Sequence, residues 1–66
     1  MTIIVNGETK EVKESITIQE LIEFLNIKVG VMATAVNMNI VKKDDWDIFR
    51  LSQDDKVELL QFVGGG

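Results

Sequence analysis

The chain has 66 residues, 45% of them hydrophobic and 27% charged, a composition that fits one small globular domain and argues against disorder. It holds no cysteine and no histidine, which excludes a disulfide framework, a Cys/His zinc site, an iron–sulfur cluster and a Cys-His nucleophile, and leaves packing as the source of stability. Eleven acidic residues against seven basic ones give a net charge of −4, so the chain gains nothing from counterion release on nucleic acid and offers no polybasic patch to a membrane.

Residues 1–14 read as a β-hairpin. Ile3, Ile4 and Val5 are β-branched, Asn6-Gly7 is a strong two-residue turn signal, and Thr9 to Lys13 alternate around Val12. A helix follows. Thr17 and Glu20 have the spacing of a capping box, with Ile16 and Leu21 placed to close a hydrophobic staple. Ile18, Leu21, Ile22 and Leu25 then repeat at i, i+3, i+4, i+7, with Phe24 at the edge of the stripe and an end expected near Asn26. Beyond Gly30 the pattern returns to strands: Met32 to Asn37 and Ile40 to Val41 flank a polar turn at Asn37-Met38-Asn39. Trp46 is the one apolar residue in the charged run from Lys42 to Asp47 and is expected to anchor a short helical turn. A turn at Gln53-Asp54-Asp55 leads into a last strand from Lys56 to Val63. The expected core is Ile3, Val5, Ile18, Leu21, Ile22, Leu25, Val57 and Leu59, with Trp46 partly inside.

This order predicts an α+β fold: one mixed sheet of four to five strands with a single main helix packed on one face. The lone helix has one apolar stripe and the sheet needs one face covered, which is the β-grasp arrangement, with the first and last strands expected to run parallel at the sheet centre. The start of the chain lacks the basic n-region of a signal peptide, and no apolar run approaches the roughly 20 residues of a membrane span. The expectation is a cytoplasmic protein with neither nucleic acid nor membrane as partner.

Candidate chemistry is scarce. No histidine is available for acid–base work near neutrality, tyrosine is absent, and Ser15 and Ser52 have no assignable base. The acids Asp44, Asp45, Asp47, Asp54 and Asp55 lack the spacing of a calcium loop and read as a solvated or partner-steering face. Three of the five glycines, however, are the last three residues. Such an end reads either as a frayed or artificial tail or as a substrate. A tail without Cβ atoms can thread a narrow channel and present its carboxylate for activation as an acyl-adenylate.

The chain resembles the ThiS family of thiamin-biosynthesis sulfur carriers, ubiquitin-like β-grasp proteins ending in Gly-Gly. The likeness runs through the opening strand into Asn6-Gly7, Thr17-Ile18-Gln19-Glu20-Leu21-Ile22 with Leu25, Ala35-Val36-Asn37, Ile40-Val41 leading to Trp46, and Val57-Glu58 through Val63-Gly64-Gly65-Gly66. Two positions depart from it: Asn37-Met38 stands where the family often has Asn-Gly, and Lys42 where it often has proline. The resemblance implies a protein cosubstrate that is not itself an enzyme and binds no cofactor. An E1-like, ThiF-like adenylyltransferase would use ATP and magnesium to adenylate the Gly66 carboxylate. Sulfur, ultimately from cysteine through a desulfurase, would then form a thiocarboxylate for a ThiG-like thiazole synthase. The small subunit of molybdopterin synthase and a ubiquitin-like modifier are the alternatives.

Two divisions of the chain are expected on this reading: a domain over 1–63 and a flexible tail over 64–66. Strand parity adds a docking surface. If Val57 and Leu59 face the helix, Glu58, Leu60 and Phe62 face the other way, joined by Ile4 from the first strand. Ile4, Leu60 and Phe62 are expected to form one apolar patch leading to Gly64, Gly65 and Gly66, with Glu58 steering towards basic partner surfaces.

Overall fold

The structure is a computed structural model and describes residues 1–27 and 30–61. Strands β1 (Thr2–Val5) and β2 (Glu8–Glu11) form the first hairpin. Helix α1 (Ile18–Phe24) follows, and then the second hairpin of β3 (Val31–Val36) and β4 (Asn39–Val41). A 3₁₀ turn at Lys43–Asp45 leads round to β5 (Lys56–Gln61). The five strands form one sheet in the order β2-β1-β5-β3-β4, with β1 and β5 parallel and the other pairs antiparallel. The expected mixed sheet with one covering helix is therefore present, and the first and last strands lie side by side. No helix among the described residues is long and apolar enough to cross a membrane.

Local chemistry accounts for each element. Asn6 and Gly7 both have positive φ, 49° and 84°, the conformation of a type I′ turn, whose twist matches that of the strands it joins. The helix start satisfies its orphan amides completely. Ile18 N donates to Phe49 O and Gln19 N to Trp46 O; Glu20 N donates to Thr17 Oγ1 and Leu21 N to Thr17 O. The Glu20 carboxylate returns a bond from Thr17 N at 3.0 Å, closing the capping box. At the other end Leu25 caps the helix and Asn26, at φ 52°, turns the chain away.

The core lies between α1 and the inner face of the sheet. Ile3, Ile18, Leu21 and Val57 are fully enclosed there, with Val5, Leu59, Ile16, Val12, Val31, Val36, Val41 and Leu51 around them. Removing a side chain such as Leu21 from water contributes about 1.5–3 kcal/mol. Two expectations need correcting. Ile22 and Leu25 are only half-buried at the margin of the core, because a seven-residue helix is about 10 Å long and gives the sheet centre only its first turn and a half. Trp46 goes the other way: it is buried, and its Nε1 donates to Val41 O at 3.0 Å, an acceptor shared with Thr34 Oγ1 at 3.1 Å. One carbonyl with two lone pairs thus satisfies both buried donors.

The second turn is narrower than expected. It consists of Asn37 and Met38, and Asn39 already belongs to β4. Met38 has φ 73° and is 92% exposed, so its side chain packs on almost nothing while its backbone sits in the left-handed region, which glycine adopts without strain and a long side chain such as methionine does not. Met38→Gly should therefore stabilise the protein by about 1 kcal/mol and raise Tm by about 4–8 °C in a domain this small; an unchanged or lower melting temperature would contradict the strain assigned to this turn.

Glu20 links the cap to pH. Its carboxyl is lowered from 4.5 to about 2, first by the side-chain bond from Lys13 Nζ at 2.8 Å and then by the Thr17 amide. A depressed folded pKa gives stability that is present above the unfolded value of 4.5 and is lost as pH falls towards 2. Thermal melting across that interval should show the loss in the native chain and a flatter profile in Glu20→Gln, whose uncharged amide cannot titrate.

Candidate functional site

The face of the sheet away from α1 carries the residues that strand parity singled out. On β5, Val57 and Leu59 are buried beneath the helix, while Glu58 is exposed and Leu60 is 49% exposed on the opposite side. Ile4 lies on that same open face, half-buried, since its neighbours Ile3 and Val5 point into the core. Phe62, Gly64, Gly65 and Gly66 lie outside the described residues.

Register rearranges the expected patch. Ile4 stands opposite Lys56, four residues before Leu60 on β5, which separates Ile4 from Leu60 by about 13 Å along the strand. Glu58 occupies the open face between them. The cross-strand partner of Leu60 is Ala33, and Ala35 lies between Glu58 and Ile40. Because paired residues point to one side, Leu60, Ala33, Ala35 and Ile40 share the open face. Ile40 is 64% exposed. Ala35 is covered, yet it stands apart from the core cluster; the side chains flanking it are those of Glu58 and Ile40.

The apolar part of this face therefore runs from Leu60 towards β4, not towards β1. Reading along single strands missed Ile40. The signal was available in the second hairpin: a two-residue turn at Asn37-Met38 pairs Ala35 with Ile40 and carries Ile40 to the side of Glu58. Electrostatically the face is mixed, since Lys56 and Glu58 alternate with Leu60 along β5 and both charged residues are exposed. Glu58 thus stands beside a cation two residues away.

Of the loop acids, Asp54 and Asp55 have side-chain partners: Asp54 Oδ1 accepts from Gln53 Nε2 at 3.1 Å. Asp55 Oδ2 accepts from Ser52 N at 2.8 Å, and Asp55 Oδ1 accepts from Asn37 Nδ2 at 2.9 Å. Among the described residues no three acidic side chains gather closely enough to hold a metal ion. A depression beside α1 is lined by Lys13, Ile16, Glu20, Glu23 and Phe24. Its charged rim is occupied by the Lys13–Glu20 ion pair.

β5 is held on both flanks by asparagines from the two turns. Asn37 Oδ1 accepts from Lys56 N at 3.0 Å at its start, and Asn6 Oδ1 accepts from Leu59 N at 2.9 Å near its end. The strand that bears Leu60 and precedes the glycine-rich end is thus bonded on both sides, to β1 and β3, with a side-chain bond from an asparagine on each flank.

Comparison with known proteins agrees with this architecture. The crystal structure of thiamine biosynthesis protein ThiS from Geobacter metallireducens superposes with a TM-score of 0.84 at 29% identity, covering the whole of both chains. Sulfur carrier protein ThiS of Escherichia coli is 29% identical over 66 residues, again the whole of both chains. A thiazole synthase of Paramagnetospirillum magneticum is 30% identical over 66 residues, and this chain spans only 20% of that protein's length. The sequence model of the ThiS family matches residues 3–66, and the chain belongs to the ThiS family.

Proposed function

We propose that this protein is a sulfur carrier for the formation of the thiazole ring of thiamin, acting as a cosubstrate of its partner enzymes. The observation that carries the reading is the end-to-end match with the Escherichia coli sulfur carrier, on a chain whose last three residues are glycine. In the proposed cycle the Gly66 carboxylate attacks the α-phosphate of ATP, bound with magnesium by an E1-like adenylyltransferase, and pyrophosphate leaves. A persulfide, formed from cysteine by a desulfurase, then attacks the acyl carbon and AMP leaves. A thiol reduces the acyl disulfide so formed, releasing its own sulfur as a disulfide and leaving the thiocarboxylate on Gly66. The resulting thiocarboxylate delivers its sulfur to thiazole synthase. The match to a segment of a longer protein named thiazole synthase supports that last partner.

Each part of the chain has a role in this scheme. Gly64, Gly65 and Gly66 supply a tail with no Cβ to obstruct a narrow channel. Leu60, with Ala33, Ala35 and Ile40 beside it, supplies an apolar docking face, and Ile4, Glu58 and Phe62 complete the contact. The chain lends no acid, base or nucleophilic side chain to the chemistry; the activating enzyme brings ATP, magnesium and the catalytic groups.

Intact-mass measurement after incubation with the activating enzyme, ATP and a sulfur source tests the cycle. The expected product has one oxygen exchanged for sulfur at Gly66. Methionine oxidation gives nearly the same shift, and Met32 and Met38 are both exposed, so fragmentation must place the gain on the last residue. A variant with one residue appended after Gly66 should fold normally and remain unloaded; thiocarboxylate on that variant would overturn the proposal. Docking is checked separately. Ile40→Ser combined with Leu60→Ser should leave Tm nearly unchanged, since both side chains face solvent, and weaken binding to the activating enzyme by about tenfold or more. Unaltered affinity would remove the open face from the partner contact.

A further inference from the structure

Asn6 does two separate jobs. Its backbone makes the first turn, with φ 49°, and carries the chain away from β5 towards β2. In doing so it withdraws its own carbonyl from the sheet. The parallel ladder between β1 and β5 runs through Ile4 N to Asp55 O at 2.9 Å and Asn6 N to Val57 O at 2.9 Å. In a regular parallel ladder the next bond would run from Leu59 N to the main-chain carbonyl of residue 6. Leu59 N instead donates to Asn6 Oδ1 at 2.9 Å. The side-chain amide thus replaces the missing backbone acceptor and extends the pairing of β5 one step beyond the last residue of β1.

That step lies at a sensitive place. After Leu59, β5 keeps its partners on the β3 side only, where Leu60 pairs with Ala33 and Gln61 with Val31 across a register shift. Among the described residues, the Asn6 bond is the last one on the β1 flank of β5. We infer that Asn6 is a positioning residue for the C-terminal tail: by pinning the Leu59 amide it sets the direction in which β5 leaves the sheet, relative to the face that carries Leu60. The inference rests on the carrier reading, in which the tail must reach a reacting atom in a partner's site, where small misplacements cost large factors in rate. The position requires tolerance of positive φ together with an acceptor oxygen one carbon beyond Cβ. Asparagine and aspartate meet both needs, glycine meets only the first, and alanine meets neither.

Asn6→Gly and Asn6→Asp therefore separate the turn from the ladder, since both keep the turn conformation and only aspartate keeps the acceptor. Amide hydrogen exchange by NMR should show Leu59 exchanging about tenfold faster in Asn6→Gly and near the native rate in Asn6→Asp. With the E1-like enzyme, Asn6→Gly should lower kcat for activation of the C-terminus by about fivefold or more with KM unchanged, because the docking face is intact while delivery of the tail is not; Asn6→Asp should restore kcat. Unchanged Leu59 exchange in Asn6→Gly overturns the inference, as does faster exchange with native kcat. If the native chain is never activated, the carrier reading fails and the purpose assigned to Asn6 fails with it. The exchange comparison alone still decides whether the side chain holds the strand.

Discussion

The parallel pairing of β1 with β5 is the constraint from which the other elements follow. Two parallel neighbours cannot be joined by a tight turn, so the chain between them must leave the sheet, cross one face and return. Helix α1 makes that crossing, and the second hairpin fills the other flank of β5. Because α1 lies on one side, the sheet acquires a buried face and an open face. Ile3, Val5, Val57 and Leu59 point to the first, and Ile4, Glu58 and Leu60 to the second.

A chain this short without covalent staples has little stability to lose, and its polar groups are accordingly well matched. Among the described residues no buried side-chain nitrogen or oxygen lacks a partner. The arrangement is economical: Val41 O serves both Trp46 and Thr34, and the carbonyls of Trp46 and Phe49 serve the first two amides of α1. The loop after the 3₁₀ turn is thereby fastened to the helix start, which an isolated bridge between Thr17 and Arg50 and the bond from Leu51 N to Ile16 O reinforce. The outer strand β2, with Glu8, Lys10 and Glu11 along it, presents charge at its free edge, which discourages edge-to-edge association.

The division between faces also bears on the proposed role. A carrier must be recognised by more than one enzyme while contributing no reactive side chain, so recognition and cargo are best kept on separate parts of the molecule. The helix side is committed to the core, and the open face beside β5 is available for contact. In the proposed role, docking and delivery would be joined through the one strand that carries this face and precedes the glycine-rich end, held at its start by Asn37 and near its end by Asn6.

What the amino-acid sequence determined alone was whatever depends on near neighbours. Asn6-Gly7 specifies a type I′ turn because both residues tolerate positive φ, and Thr17 with Glu20 specifies a helix start because their side chains reach amides within one turn. The period of Ile18, Leu21 and Val57-Glu58-Leu59-Leu60 specifies which side of each element is apolar. From these the element order and the β-grasp class followed, and parity placed Ile4 and Leu60 on the same face. Tertiary structure decided whatever depends on register between segments distant in sequence. It set Ile4 against Lys56 and so away from Leu60, brought Ile40 to the open face through Ala35, and buried Trp46 on a carbonyl supplied by β4. It left Ile22 and Leu25 at the margin, since a two-turn helix covers only the middle of five strands. It also gave Asn6 its second bond, to an amide 53 residues further along the chain. Side-chain period and turn chemistry are local properties of the backbone, whereas the offset between two paired strands is chosen by the packing of the whole core, which no short window of sequence contains.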